Sequence, residues 1–152
     1  MTNSVSNYSE AQTNADLHQS IIKKFSQAWK DKDLHTLLSL VADDCVYTAS
    51  VGPGPGERFV GKKAVCKGFA AMFDNDQVER VQVSNLLVSG NRAACEWRYF
   101  STDKNDNEIV IHGCDLYTFT DDKISVKDSF RKTYPRVMPG DIYDGEEYRG
   151  AF

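Results

Sequence analysis

The stretch Ile109-Val-Ile-His-Gly-Cys-Asp-Leu-Tyr-Thr-Phe119 decides the fold, because it is the longest strand-like segment in the 152-residue chain. Polar residues at 103–107 precede it and Asp121-Asp122 follow it, so it lies between two predicted hairpin turns. Segments 81–88, 93–101 and 123–131 have the same strand-like composition. Together the four segments predict an antiparallel meander in the second half of the chain.

Helices are predicted upstream of this meander. The first follows Asp16, a suitable N-cap, and its apolar residues repeat every three or four positions: Leu17, Ile21, Phe25, Ala28 and Trp29. A second, short helix follows the N-cap Asp33, and a third runs over 62–73. A short strand at 45–49 and a Gly-Pro loop at 52–56 separate the second helix from the third. Helices segregated from an antiparallel sheet predict an α+β domain.

The composition sets the domain bounds and excludes several classes of function. We expect a disordered polar leader over 1–15, one domain over 16–134 and an irregular tail over 135–152. A net charge of −4 without a basic run argues against nucleic acid, and no apolar stretch approaches the length of a membrane span. The N-terminus has no secretory signal pattern, which predicts a cytoplasmic protein. The dispersed cysteines and histidines predict no metal site.

Alternation along each strand assigns its side chains to two faces. In the long strand, Asp115 shares a face with Tyr117 and Phe119, and in the preceding strand Trp97 and Tyr99 share one. We expect this face to lie against the helices. In the last strand, the apolar residues predict the inward set Ile124, Val126, Asp128 and Phe130, and the outward set Ser125, Lys127, Ser129 and Arg131.

Asp115 is the candidate catalytic residue, because an acid among aromatic side chains is costly unless it is hydrogen-bonded or protonated. A carboxyl group held in such surroundings can donate a hydrogen bond or shuttle a proton. Two alternatives remain open: Asp115 accepts from a backbone N–H at a bulge, or the strand register differs and it faces water. Asp128 is a second candidate acid, or pairs with basic residues near the end of its strand.

Three phrases resemble the nuclear transport factor 2-like superfamily, and within it the SnoaL-like and ketosteroid isomerase-like branch. They are Leu38-Ser-Leu-Val-Ala-Asp-Asp-Cys-Val-Tyr47, Phe59-Val-Gly-Lys-Lys-Ala-Val65 and His112-Gly-Cys-Asp-Leu-Tyr-Thr-Phe119. The resemblance implies a cone-shaped curved antiparallel sheet wrapped around the three helices, with a deep apolar pocket. It also implies a homodimer formed through the outer face of the sheet.

The resemblance implies roles for particular residues. Asp115 matches the protonated acid of the isomerases that binds the oxyanion, and Tyr47 matches a pocket tyrosine of the epoxide hydrolases that helps to hold the attacking water. The proton-shuttling carboxylate of the isomerases falls on Ala49 and their oxyanion tyrosine on Phe25, so the standard isomerase machinery is incomplete. The aromatic residues predicted to line the pocket are Phe25, Trp29, Phe69, Phe73, Trp97, Tyr99, Tyr117 and Phe130.

Two functions follow from these assignments. The first is an enzyme without a cofactor that isomerises, cyclises, dehydrates or hydrolyses an apolar, cyclic substrate, with Asp115, Tyr47 and Asp128 as catalytic residues. The second is a non-catalytic ligand-binding or accessory module with the same pocket. A third interpretation, a structural dimer that offers its outer sheet face to a protein, has no motif in its favour.

Overall fold

The structure, a computed structural model, describes residues 3–75, 80–102, 106 and 108–132, which form three helices and six strands. The helices are α1 (Asn3–Lys30), α2 (Leu34–Leu40) and α3 (Lys62–Asn75). The strands are β1 (Val41–Thr48), β2 (Arg58–Val60), β3 (Arg80–Ser89), β4 (Arg92–Thr102), β5 (Glu108–Thr120) and β6 (Lys123–Arg131). The predicted helices and the predicted meander are therefore present, and the predicted tail over 135–152 lies outside the described residues.

The strands form one curved, unclosed sheet in the order β2-β1-β6-β5-β4-β3. All neighbouring strands are antiparallel except β1 and β6, which pair in parallel. The sheet is thus mixed, where the sequence predicted an antiparallel one. A parallel pair requires a long crossover connection, and α3 with the first three strands of the meander provides it. The α+β fold itself is confirmed.

Helix α1 begins at Asn3, which corrects the predicted start at the N-cap Asp16 and makes most of the predicted leader helical. Segment 3–15 contains no glycine or proline, the two residues that most disfavour a helix interior. The inward stripe of α1 also differs in one position. His18 is 6% exposed, whereas the predicted stripe residue Leu17 is 43% exposed.

His18 fixes α1 to the sheet. Its ring stacks on Phe119 with a centroid distance of 3.9 Å. Its Nδ1 lies 2.9 Å from the carbonyl oxygen of Gly90, and its Nε2 lies 3.1 Å from that of Asp121. These two carbonyls belong to the turns between β3 and β4 and between β5 and β6, so α1 is held over the inner face of the meander.

The core lies between the helices and this inner face. Residues from all three helices are almost completely buried there, together with aromatic side chains of β1 and β5: Ile22, Phe25, Leu37, Val65, Phe69, Tyr47, Tyr117 and Phe119. Burying large apolar side chains supplies the main stabilisation of such a layer. Polar side chains inside it therefore need partners.

The N-cap of α2 gives a first prediction. Asp33 accepts a hydrogen bond of 3.0 Å from the backbone N–H of Thr36, as the sequence predicted. Hydrogen bonding from Thr36 lowers the pKa of Asp33 below its ordinary value of 3.8. Since the folded pKa is the lower one, the contribution of Asp33 is present above the unfolded value and is lost as pH falls through the folded value.

We expect Asp33→Ala to lower the melting temperature by about 2–4 °C at neutral pH. The difference from the wild type should shrink as the pH falls below about 4 and disappear once the carboxyl group is protonated in the folded state as well. Thermal unfolding followed by circular dichroism measures both. The control is Asp44→Ala, which removes an exposed carboxylate from β1. A difference that persists at acid pH would show that the cap does not act through its charge.

Candidate active site

The candidate site is centred on Asp115 in the middle of β5. Asp115 pairs with Cys95 on β4 and with Ser129 on β6, so its strand is flanked on both sides. Its side chain points toward the helices, as predicted, and the residue is 8% exposed. Asp115 is therefore an acid inside the apolar layer.

Three donors surround the carboxylate of Asp115. The indole N–H of Trp97 donates to Oδ1 at 3.1 Å, and the hydroxyl of Tyr117 donates to Oδ2 at 3.1 Å. The ammonium group of Lys127 lies 2.9 Å from Oδ2 and forms an ion pair with it. Asp115 thus faces a cation, where the resemblance implied a protonated acid.

Lys127 is buried as deeply as its partner, and its side chain is 5% exposed. Besides the carboxylate, its Nζ donates to the hydroxyl of Ser129 at 2.6 Å. The rings of Trp29 and Tyr47 each lie 5.0 Å from the same nitrogen, within range of a cation–π interaction. The ring of Tyr117 lies 5.9 Å away. The ammonium group therefore exchanges water for one anion, one hydroxyl and three rings.

A bulge in β6 directs Lys127 inward and corrects the predicted faces of this strand. Ile124 pairs with Phe119 and Val126 with Thr118, so two residues of β6 after Ile124 oppose one of β5. The extra residue reverses the alternation that follows. As a result the predicted outward set holds the buried residues Lys127 and Ser129.

Asp128 and Phe130 consequently lie on the outer face of the sheet. Phe130 is 51% exposed and lines a separate space of about 530 Å³, so it does not line the cavity beside Asp115 with the other predicted residues. Asp128 pairs with Leu116 and is half-buried on that face. The structure does not bring Asp128 to Asp115.

Trp97 depends on Gly113 for its position. The two residues are direct partners across β4 and β5. A Cβ atom on Gly113 would overlap the six-membered ring of Trp97 and the backbone oxygen of Phe130. The indole also stacks on Tyr99 with a centroid distance of 4.5 Å. Gly113 therefore provides the space in which Trp97 reaches Asp115.

A small cavity adjoins the carboxylate. Its volume is about 20 Å³, enough for one water-sized oxygen atom. Phe25, Trp29, Trp97, Tyr99 and Tyr117, all predicted to line a pocket, line it together with Ser26, Val81, Val83, Cys95 and Asp115.

A groove of about 250 Å³ lies beside the cavity, between α1 and β3. Three residues, Ser26, Val83 and Cys95, line both spaces. The groove has ligand-sized volume, and so does a separate space of about 530 Å³ whose lining includes Trp97, His112 and Phe130. The predicted deep pocket next to Asp115 has only the size of a single hydroxyl group.

The other predicted residues surround this site without lining the cavity. Phe69 and Phe73 pack edge-on against Trp29, with centroid distances of 5.1 and 5.0 Å. Tyr47 is 2% exposed and stacks on Phe59. These side chains support the site from within the core.

The titratable groups around the cavity, apart from the ion pair, are neutral. Burial raises the pKa of Tyr117 well above its ordinary value, and the nearby Asp115 carboxylate raises it further. Burial, again with a contribution from Asp115, raises the pKa of Cys95 to about 12. At neutral pH the phenol and the thiol both keep their protons.

The described residues contain no group of three or more His, Cys, Asp and Glu side chains that could hold a metal ion. None of the helices in the described part of the chain is long and apolar enough to cross a membrane. The side chains that line the cavity supply one carboxylate, hydroxyl groups, the Cys95 thiol and aromatic rings.

The curved sheet over three helices, with a polar cluster buried between the layers, defines an NTF2-like α+β protein of a class that contains small-molecule enzymes and binders. The family model described as "SnoaL-like domain" matches residues 22–126, more than half of the chain. The chain belongs to this family, which confirms the resemblance found in the sequence. None of the curated proteins matches the chain.

Solved structures agree on the fold. An NTF2-like protein of unknown function from Mesorhizobium loti is 23% identical, with a TM-score of 0.66 over 79% of this chain and 94% of that one. An NTF2-like protein from Cytophaga hutchinsonii is 19% identical, with a TM-score of 0.63 over 78% and 99%. A protein with a ketosteroid isomerase-like fold from Catenulispora acidiphila, solved with trimethylamine, is 18% identical, with a TM-score of 0.58 over 72% and 83%. The predicted homodimer and the cytoplasmic location stay predictions.

Proposed function

We propose that this protein is a cofactor-independent enzyme that moves protons on a small, apolar, cyclic molecule, with Asp115 as the general base or acid. The observation that supports it most is the ion pair beside the cavity. Asp115 lines the cavity, whereas Lys127 holds it from the side of the core. General acid–base catalysis requires a carboxyl group within hydrogen-bond reach of a substrate proton, and a carboxylate that lines a cavity and is held in one orientation meets this requirement.

Each neighbour of Asp115 has a distinct part in this proposal. Trp97 and Tyr117 fix the plane of the carboxylate through their hydrogen bonds. Lys127 neutralises its charge. Tyr47 contacts Lys127 through its ring face and is a positioning residue in this proposal, rather than the catalytic residue that the sequence predicted. Asp128 has no part, since it lies on the outer face.

A nitrobenzisoxazole tests the proposal, since its ring opening requires only a base in an apolar site. The base removes the hydrogen from the ring carbon, the N–O bond breaks, and a coloured cyanophenolate forms. We expect the wild type to accelerate this reaction above buffer, and Asp115→Asn to lower the rate by about 100-fold. Absorbance of the phenolate measures both.

Asp128→Asn is the matched control, because it removes the same charge from the outer face of the neighbouring strand. We expect it to keep the wild-type rate. Circular dichroism and thermal unfolding confirm that each variant is folded. Equal rates for the wild type and a folded Asp115→Asn variant would refute the assignment of Asp115 as the base.

Ligand binding without turnover is the second candidate function. The number of acidic residues favours it. Asp115 is the one carboxylate among the described residues that line the cavity, and Ala49 takes the place of the second acid of the isomerases. A binder would respond to small cyclic ligands and would not open the nitrobenzisoxazole ring. The two functions are therefore separated by one assay.

A further inference from the structure

The hydrogen bonding of Asp115 determines what the site can recognise. A carboxylate only accepts hydrogen bonds, and its two oxygens have about four lone-pair positions. Trp97, Tyr117 and Lys127 occupy three of them. The indole N–H of Trp29, which also lines the cavity, already donates to the hydroxyl of Tyr99 at 3.0 Å. A ligand group that meets Asp115 must therefore donate a hydrogen bond.

The charge of the site selects a neutral donor. The Lys127 ammonium, 2.9 Å from Oδ2, compensates the charge of Asp115, so the pair offers no net charge to a ligand cation. Two further cations, Lys23 and Lys30, line the groove that adjoins the cavity. An ammonium ligand would thus meet like charge at the groove and a neutralised carboxylate at its end.

The dimensions of the two spaces match a ring that carries a hydroxyl group. The cavity beside Asp115, about 20 Å³, accommodates a single edge atom of a ligand, such as a hydroxyl oxygen or one ring carbon with its hydrogen, while the rest of the ring lies outside it. The groove, about 250 Å³, has the volume for a ring, and its apolar wall is formed by Ile22, Val83 and Leu86. Ser26 and Cys95 lie where the two spaces adjoin.

We infer that the site binds a neutral cyclic alcohol, enol or phenol, whose hydroxyl group enters the cavity and donates to Asp115 while its ring lies in the groove between α1 and β3. The inference rests on the proposed function and names its substrate class. In the reaction, Asp115 takes the hydroxyl proton as a new O–H bond forms on the carboxyl group, and the electron pair stays on the substrate oxygen. Lys127 then remains as the cation that balances that oxygen.

The two tryptophans of the chain make the test direct. Both indole N–H groups donate inside the site, Trp97 to Asp115 and Trp29 to Tyr99. We use their two resonances in a ¹H–¹⁵N spectrum to follow titrations with phenol, cyclohexanone and benzylammonium. These probes are of similar size, and present a neutral donor, an acceptor and a cation.

Phenol should shift both indole resonances and saturate, and it should bind at least about tenfold more tightly than cyclohexanone, the value of one hydrogen bond to a charged group. Benzylammonium should bind more weakly than phenol. Equal or tighter binding of cyclohexanone or benzylammonium overturns the inference, and so does a spectrum that none of the probes changes. The ring-opening assay decides the proposed function separately, since its probe carries no hydroxyl group.

A pair of variants on α1 checks the position of the ligand. Ser26→Leu fills the junction of groove and cavity, and we expect phenol binding to weaken by about tenfold or more. Ser20→Leu makes the same change at an exposed position of α1 and should leave phenol binding unchanged. If the Ser26 variant is folded and binds phenol like the wild type, the ring does not lie in this groove.

Discussion

Gly113→Ala is expected to destabilise the protein by about 3–4 kcal/mol, a large effect for one methyl group. The added Cβ would overlap the ring of Trp97 and the backbone oxygen of Phe130, so a side chain and a strand must both move. Overpacking of this kind costs about 1–3 kcal/mol. The displaced indole also leaves the Asp115 carboxylate without one donor, which adds about 1–3 kcal/mol.

Urea unfolding measures the loss of stability, and the indole resonance of Trp97 reports its displacement. The matched control is Gly54→Ala, because a Cβ at Gly54 meets no atom within 4 Å. Gly54 has a φ of 62°, so this control should cost only the strain of a left-handed residue, about 1–2 kcal/mol. A Gly113 variant as stable as the control, with an unshifted Trp97 resonance, would show that the sheet yields at this position.

The inner face of β5 was predictable from the sequence, since the strand has a regular alternation. Tyr117 and Phe119 share a face with Asp115. Because the helices cover only one face of the sheet, these large side chains can be buried only on that face. The same reasoning placed Trp97 and Tyr99 correctly on β4. In a regular strand of this kind, the face on which one side chain lies fixes the faces of all the others.

The partner of Asp115 was not predictable in the same way. In β6, the stretch Lys-Ile-Ser-Val-Lys-Asp-Ser-Phe is compatible with either set of alternate residues facing inward. The bulge between Ile124 and Val126 then exchanges the inward and outward sets partway along the strand. A bulge depends on how the strand pairs with its neighbour, and the local sequence does not specify this pairing. One signal was available: a buried acid requires a partner, and Lys127 is a cation on a strand predicted to pair with β5.

The cavity also shows a limit of the family resemblance. Phe25 and Ala49 mark where the chain departs from the isomerases, and these departures were readable from the sequence. The size of the space beside Asp115 was not, because it depends on how Trp29, Trp97 and Tyr99 pack against one another. Packing of large aromatic rings is decided by three-dimensional neighbours rather than by spacing along the chain.

Lys127→Met is expected to destabilise the protein by about 3–5 kcal/mol, because it leaves the Asp115 carboxylate buried and without its cation. Asp115→Asn leaves the opposite charge, the Lys127 ammonium, in the same layer. Both side chains are nearly excluded from solvent, with exposures of 5% and 12%, so water cannot replace the missing partner. Urea unfolding at neutral pH measures each loss.

The double variant, which combines Lys127→Met with Asp115→Asn, measures the interaction energy between the two side chains. With both charges removed, we expect a loss at least about 2 kcal/mol smaller than the sum of the two single losses. The control cycle uses the surface pair of Lys62 and Asp43, which is 2.8 Å apart but 36% and 96% exposed. Because water and salt screen exposed charges, that pair should show little or no coupling. Additive losses at Asp115 and Lys127 would mean that the two groups are stabilised independently by Trp97, Tyr117 and the surrounding rings, and that Asp115 does not require a cation to remain in the interior.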